Sequence, residues 1–123
     1  MACRFARSIV VSVLLGLSAT HAIAHTTVVG TAPKSGSVLE QSPPVVEITF
    51  QDAVRLTSVV VIDASNAERK LEFAPSDSAV TFKLNRPQLG PGRNEIRWKA
   101  LSKDGHVISG SLILTIAAAA KTN

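Results

Sequence analysis

Polar and apolar residues alternate with period two along most of the chain beyond residue 25. That is the period of a half-buried strand, because successive strand side chains point to opposite faces. Val46, Ile48 and Phe50 share one face across Glu47 and Thr49. Val80, Phe82 and Leu84 repeat the pattern, as do Leu112, Leu114 and Ile116. In 94–101, Ile96, Trp98 and Ala100 point inward while Glu95, Arg97 and Lys99 point outward. Ser58 to Asp63 is a continuous apolar strand, Arg69 to Phe73 alternates again, and Thr26 to Val29 is β-branched. Val38-Leu39 is too short for a long strand and packs inward. Turns fall at 32–37, 42–44, 64–66, 74–78 and 88–92, where Pro, Gly, Ser and Asn collect. Gln51 to Arg55 reads as an irregular connection, and Lys103-Asp104-Gly105 as a hairpin turn.

No segment after residue 24 shows a helical period. About seven short strands, with turns every eight to twelve residues, predict an all-β antiparallel sandwich of immunoglobulin-like type. The Cys…Trp…Cys pattern of disulfide-bonded immunoglobulin domains is missing, so Trp98 is read as core. Ala117 to Asn123 reads as a frayed tail.

The front of the chain follows another rule. Arg4 and Arg7 precede an uncharged, mostly apolar run from Ser8 to Ala19, and Ala22-Ile23-Ala24 closes it with small residues. This is the pattern of a secretory signal peptide cut after Ala24. The run is shorter than the roughly 20 residues that span a bilayer, and Cys3 precedes it, so neither a membrane span nor a lipid anchor is expected. Residues 1–24 are the cleaved leader and 25–123 a single domain, which puts the folded protein outside the inner membrane.

Cleavage changes the composition. Arg4 and Arg7 leave, so 11 basic residues face nine acids. The only Cys, Cys3, and the only Met, Met1, leave as well. A disulfide framework is therefore excluded, and stability must come from a packed core. Nucleic-acid binding is not expected, since there is no basic stripe, no Tyr and a single Trp. Of the three His, His21 leaves with the leader, and His25 and His106 remain.

Those two imidazoles carry the candidate chemistry. Cleavage makes His25 the first residue, so one residue offers an amine and a ring that chelate a metal together. His106 lies two residues from Asp104. If that segment is extended, both side chains face one way and clamp one small target. Thr26, Ser102 and Ser109 are near enough in sequence to orient these groups.

With both ends in view, the mature chain resembles the CopC family of periplasmic copper-binding proteins. The resemblance rests on His25 after the leader and on Ala32-Pro33-Lys34-Ser35-Gly36-Ser37-Val38-Leu39. It continues in Pro43-Pro44 with the Val45 to Phe50 strand, then in Trp98 and Ser102-Lys103-Asp104-Gly105-His106-Val107-Ile108-Ser109-Gly110. The family implies a cupredoxin-like or immunoglobulin-like Greek-key barrel that holds Cu(II). Carried over by position, the metal ligands are His25, through amine and ring, with Asp104 and His106. Asp52 lies near a position where some members supply a further carboxylate. The family also implies copper resistance or homeostasis as the role, the periplasm as the compartment, and the membrane protein CopD as a partner.

Three nitrogens and a carboxylate oxygen suit tetragonal Cu(II), which tops the affinity order of divalent first-row metals. Members with a Met-rich Cu(I) site differ here, since no Met survives cleavage. One Cu(II) ion and no enzymatic activity are the expectation. A blue-copper carrier is excluded by the missing Cys ligand. Three alternatives stand beside this reading. A copper-dependent polysaccharide monooxygenase also begins with His, but it needs an open plane position that Asp104 occupies. A secreted β-sandwich that binds a protein partner predicts no copper at all. Zinc also accepts His and Asp.

Overall fold

The computed structural model describes residues 28–118. Seven strands follow one another without a helix among these residues: β1 (Val28–Ala32), β2 (Val38–Leu39), β3 (Val45–Ile62), β4 (Glu68–Lys70), β5 (Ala79–Asn85), β6 (Gly92–Leu101) and β7 (Val107–Ile116). No helix among them is long and apolar enough to cross a membrane. The all-β expectation holds. All pairings are antiparallel except the short β2–β7 pair, which is parallel.

One strand organises the rest. The first half of β3 pairs with β1 and β5, and its second half with β6 and β4. A single strand therefore belongs to both layers and hands the chain from one to the other. This corrects the reading of Gln51–Arg55 as an irregular connection: these residues are strand, continuous with both flanks. Gln51, Asp52 and Arg55 are exposed, so the stretch looks polar, yet its backbone stays extended while its partners change.

A bulge lets this strand serve two layers. Val46, Ile48, Phe50, Val54 and Leu56 are buried at even positions, but Val59 and Val61 at odd ones. The switch falls where Leu56 pairs with Ala100 and Ser58 with Lys99, leaving Thr57 extra. One inserted residue flips the inward face, as a period of two requires. The Thr57 hydroxyl donates to the Lys99 carbonyl at 3.1 Å, partnering the displaced ladder.

The core lies between the layers. Phe50 meets Phe82 edge-on, with ring centroids 5.9 Å apart, and Trp98 at 5.0 Å. Trp98 is buried, as the alternation predicts. Its ring lies over Gly110, its partner across β6–β7. A Cβ on Gly110 would sit 2.5 Å from Trp98 Cζ2, so the ring takes the space a side chain would fill. Val80, expected on the inward face with Phe82 and Leu84, is 43% exposed because it lies near the open end of β5.

Candidate metal centre

The β6–β7 hairpin carries the two candidate side chains. Ser102 and His106 close it, with the Ser102 N–H donating to the His106 carbonyl at 2.9 Å. Inside, the Gly105 N–H donates to the Ser102 carbonyl at 3.0 Å. Gly105 has φ of 84°, in the left-handed region where a residue without a Cβ is least strained. Three residues thus make the loop, with glycine last, as in a turn closed by a glycine bulge.

This geometry changes the reason why Asp104 and His106 meet. A shared face required the segment to be extended, whereas the Asp-Gly signal reads Lys103-Asp104-Gly105 as a hairpin turn, and the turn is what forms: Asp104 sits in it, and the left-handed Gly105 breaks the extension. The turn still brings them together: His106 Nδ1 lies 3.1 Å from Asp104 Oδ2.

Ser102 ties this pair to the strand. It is buried, 6% exposed, although it sits in a turn. Its hydroxyl bonds Asp104 Oδ1 and accepts the His106 N–H at 3.2 Å. The hydroxyl, then the His106 ring, then Asp104's own amide hold the Asp104 carboxyl below its ordinary range.

The donor set remains accessible. The side chains of His106 and Asp104 are 75% and 53% exposed. With its proton on Nε2, the neutral ring turns the Nδ1 lone pair toward Asp104 Oδ2, so one ion set between them would take the place of the Nδ1–H···Oδ2 bond. A carboxylate offers about four lone-pair positions, so Asp104 keeps capacity for a metal while accepting the Ser102 bond. A neutral imidazole and an ionised carboxylate are both competent metal donors.

Two ligands do not make a closed site. Among the described residues no group of three His, Cys, Asp or Glu forms a metal cluster, and Asp52 does not join Asp104 and His106. Asp52 lies exposed on β3. Ser109 points outward on β7 and lines a separate open hollow with Glu95 and Arg97, so it does not touch the pair. His25 and Thr26, and the leader 1–24, lie outside the described residues.

The strand pairings point to one end of the molecule. Val28 pairs with Phe50 on β3, and β1 runs antiparallel to it, so the first described residue lies beside the point where β3 enters Gln51–Val54. On β6, Leu101 pairs with Arg55. Ala53, Arg55, Ser78, Leu101, Ser102 and Lys103 surround a shallow hollow of about 280 Å³ there. A larger hollow of about 420 Å³ on the outer face of β3, β6 and β7 contains neither Asp104 nor His106.

Comparison with known proteins bears on this arrangement. The family model described as CopC domain matches residues 28–117. None of the curated proteins searched matches the chain. Among solved structures, it is similar to CopC from Methylosinus trichosporium OB3b, at 22% identity and a TM-score of 0.64, covering 80% of this chain and 100% of that one. It is also similar to PcoC, a copper resistance protein from Escherichia coli, in selenomethionine form. There the identity is 18% and the TM-score 0.57, over 73% of this chain and 98% of that one. A further structure of PcoC, described as methionine rich, gives 21% and 0.56, over 76% and 99%. At such identities the likeness establishes the shared fold.

Proposed function

This chain belongs to the CopC family, its CopC domain spanning residues 28–117, and from that premise we propose that it binds one Cu(II) ion in the periplasm, for copper resistance or homeostasis. The ligands in this reading are the amine and ring of His25, a ring nitrogen of His106 and the carboxylate of Asp104. Residues 1–24 act as a leader whose removal creates the amine ligand.

The observation that carries the reading is the exposed Asp104–His106 pair, 3.1 Å apart, on a hairpin whose base pairs with β3 at Arg55, at the end of the molecule where β1 begins opposite Phe50. His25 lies three positions before Val28, a reach of at most about 10 Å. The described residues supply two donors, and a Cu(II) plane of nitrogen and oxygen donors needs more. A chelating first residue supplies the two that are missing.

The site is a binding site and not a catalytic one. In this reading Asp104 takes a position that oxygen chemistry would need open, and the donor pair lies on an exposed turn. The Escherichia coli relative is described as methionine rich, whereas the only Met of this chain is Met1. After processing no thioether remains for Cu(I), so the protein holds copper in its oxidised form. Exposed ligands suit exchange with a partner, and the family's membrane protein CopD is the partner this reading assigns.

The test is a titration of protein beginning at His25 with Cu(II), followed by absorbance and paramagnetic resonance beside a Zn(II) competition. One equivalent of tightly held Cu(II), with nitrogen hyperfine structure and preference over Zn(II), is expected. Protonation of rings and amine competes with the metal, so affinity should fall as pH drops through the imidazole range, about 6.5 for a free ring. Failure to take up copper, or equal affinity from pH 5 to 8, contradicts the ligand set.

A further inference from the structure

We propose that Ser102 is a positioning residue for copper capture: its hydroxyl holds Asp104 in the metal-ready orientation and couples that carboxylate to the backbone of His106. The inference rests on the copper site proposed above. It adds a residue that touches no metal yet sets how two of the ligands are presented.

The argument begins with burial. A serine in a hairpin turn is ordinarily solvated, but Ser102 is only 6% exposed, while Asp104 and His106, on either side of the turn's glycine, are open to solvent. A buried hydroxyl must be partnered, and this one has three neighbours within bonding range: Asp104 Oδ1, the His106 N–H and the His106 carbonyl. It owns one proton. The carboxylate is the charged acceptor, and charge-assisted bonds are the stronger ones, so the proton goes to Oδ1. The oxygen lone pairs then receive the His106 N–H. The His106 carbonyl needs no second donor, since the Ser102 N–H already serves it at 2.9 Å.

One hydroxyl thereby links the two halves of the donor pair. It fixes Oδ1, which leaves Oδ2 beside the imidazole and sets the carboxylate plane. It also fixes the peptide from which the ring springs. Without it, Asp104 becomes an exposed side chain on a turn, free to rotate away from His106, and metal capture must first reorder it. Outer partners of metal ligands are worth roughly 10–100-fold in affinity where they act this way.

The experiment uses processed protein beginning at His25, with Cu(II) as the probe and competition titration as the readout. Ser102→Ala should weaken Cu(II) binding about 10–100-fold, and Ser102→Thr, which keeps the hydroxyl, should restore most of the loss. Amide spectra of each variant report whether the β6–β7 hairpin stays folded. The deciding comparison is made in an Asp104→Ala background, which removes the acceptor of the Ser102 hydroxyl. If Ser102 acts through the carboxylate, adding Ser102→Ala there costs little further affinity. If Ser102 only props up the turn, the loss is the same in both backgrounds, and the proposal is overturned. Unchanged affinity in Ser102→Ala also overturns it. Absence of copper binding by the unsubstituted protein sinks the copper reading itself, a result separate from either.

Discussion

Two turns of this molecule are built on an aspartate and a serine, and they use the acid differently. At the end of β3, Asp63 Oδ1 accepts the N–H of Ser65 at 2.9 Å, the Ser65 hydroxyl at 2.6 Å and the N–H of Ala67 at 3.0 Å. That oxygen is spent on its own turn, and among the described residues no imidazole lies beside the other. In the β6–β7 hairpin the backbone closes itself through Gly105 and His106, and Asp104 engages side chains instead, the Ser102 hydroxyl and the His106 ring. Both carboxyls are held below their ordinary range, Asp63 first by the Ser65 hydroxyl and Asp104 first by the Ser102 hydroxyl. The lowered pKa therefore does not separate them. What separates them is what the oxygens face: backbone amides in one turn, an imidazole in the other. A carboxylate freed from turn-making is the one available for chemistry.

The largest effect expected from this contrast lies in metal affinity. His106→Ala removes one of the proposed ligands and should weaken Cu(II) binding by more than the roughly 10–100-fold typical of losing an outer partner. Asp63→Ala should leave copper affinity unchanged while lowering the denaturant midpoint. Competition titration and chemical unfolding on the same two variants read both quantities. Equal loss of copper in both would erase the distinction.

A smaller effect separates damage to the frame from damage to the site. Gly110 lies on β7 against the Trp98 ring, where a Cβ would come within 2.5 Å of Cζ2. Phe50 packs edge-on against that ring, so the indole has little room to yield. Gly110→Ala should cost about 1–3 kcal/mol of stability through overpacking, measured by urea unfolding. Affinity per folded molecule should not change, because no ligand is touched.

The smallest effect is the response to acid. Asp63 has a folded-state pKa below its unfolded value, near 3.9 for a free Asp. Its contribution is fully present above that value and is lost as pH falls through the folded one. Protection of the Ser65 and Ala67 amides against exchange, relative to an unstructured peptide at the same pH, should therefore fall in strong acid. The Gly105 amide, which bonds a carbonyl and not the carboxylate, should respond less. Equal loss of protection at all three sites would contradict the division of labour between the turns.

Much of this architecture was legible in the sequence. The inward faces of β6 and β7, and Val46, Ile48 and Phe50 on β3, are where period-two alternation puts them. The stretch Gln51–Arg55 was misread because exposed polar residues resemble a loop when the partner strands are unknown. The backbone there stays extended through an exchange of neighbours, which is a non-local property. The Thr57 bulge is hidden for the same reason: one extra residue is visible only against a register. At the site, Asp104 and His106 were legible as a pair, but the supposed extended segment is a turn with a left-handed glycine. Ser102 was legible only as one of three residues near enough to orient the ligands, with Thr26 and Ser109, since the burial that singles it out comes from tertiary packing. The parallel β2–β7 pair left no signal, as two residues carry no periodicity.

The central claim is that the first residue of the processed chain and the Asp104–His106 hairpin hold one copper ion together. The most direct measurement compares two samples by Cu(II) competition titration and paramagnetic resonance, one beginning at His25 and one carrying a single extra residue before it. The account predicts that the extra residue, which turns the ligand amine into an amide, sharply weakens binding and changes the nitrogen hyperfine pattern while the fold is unaltered. Identical affinity and identical spectra in the two samples would contradict it.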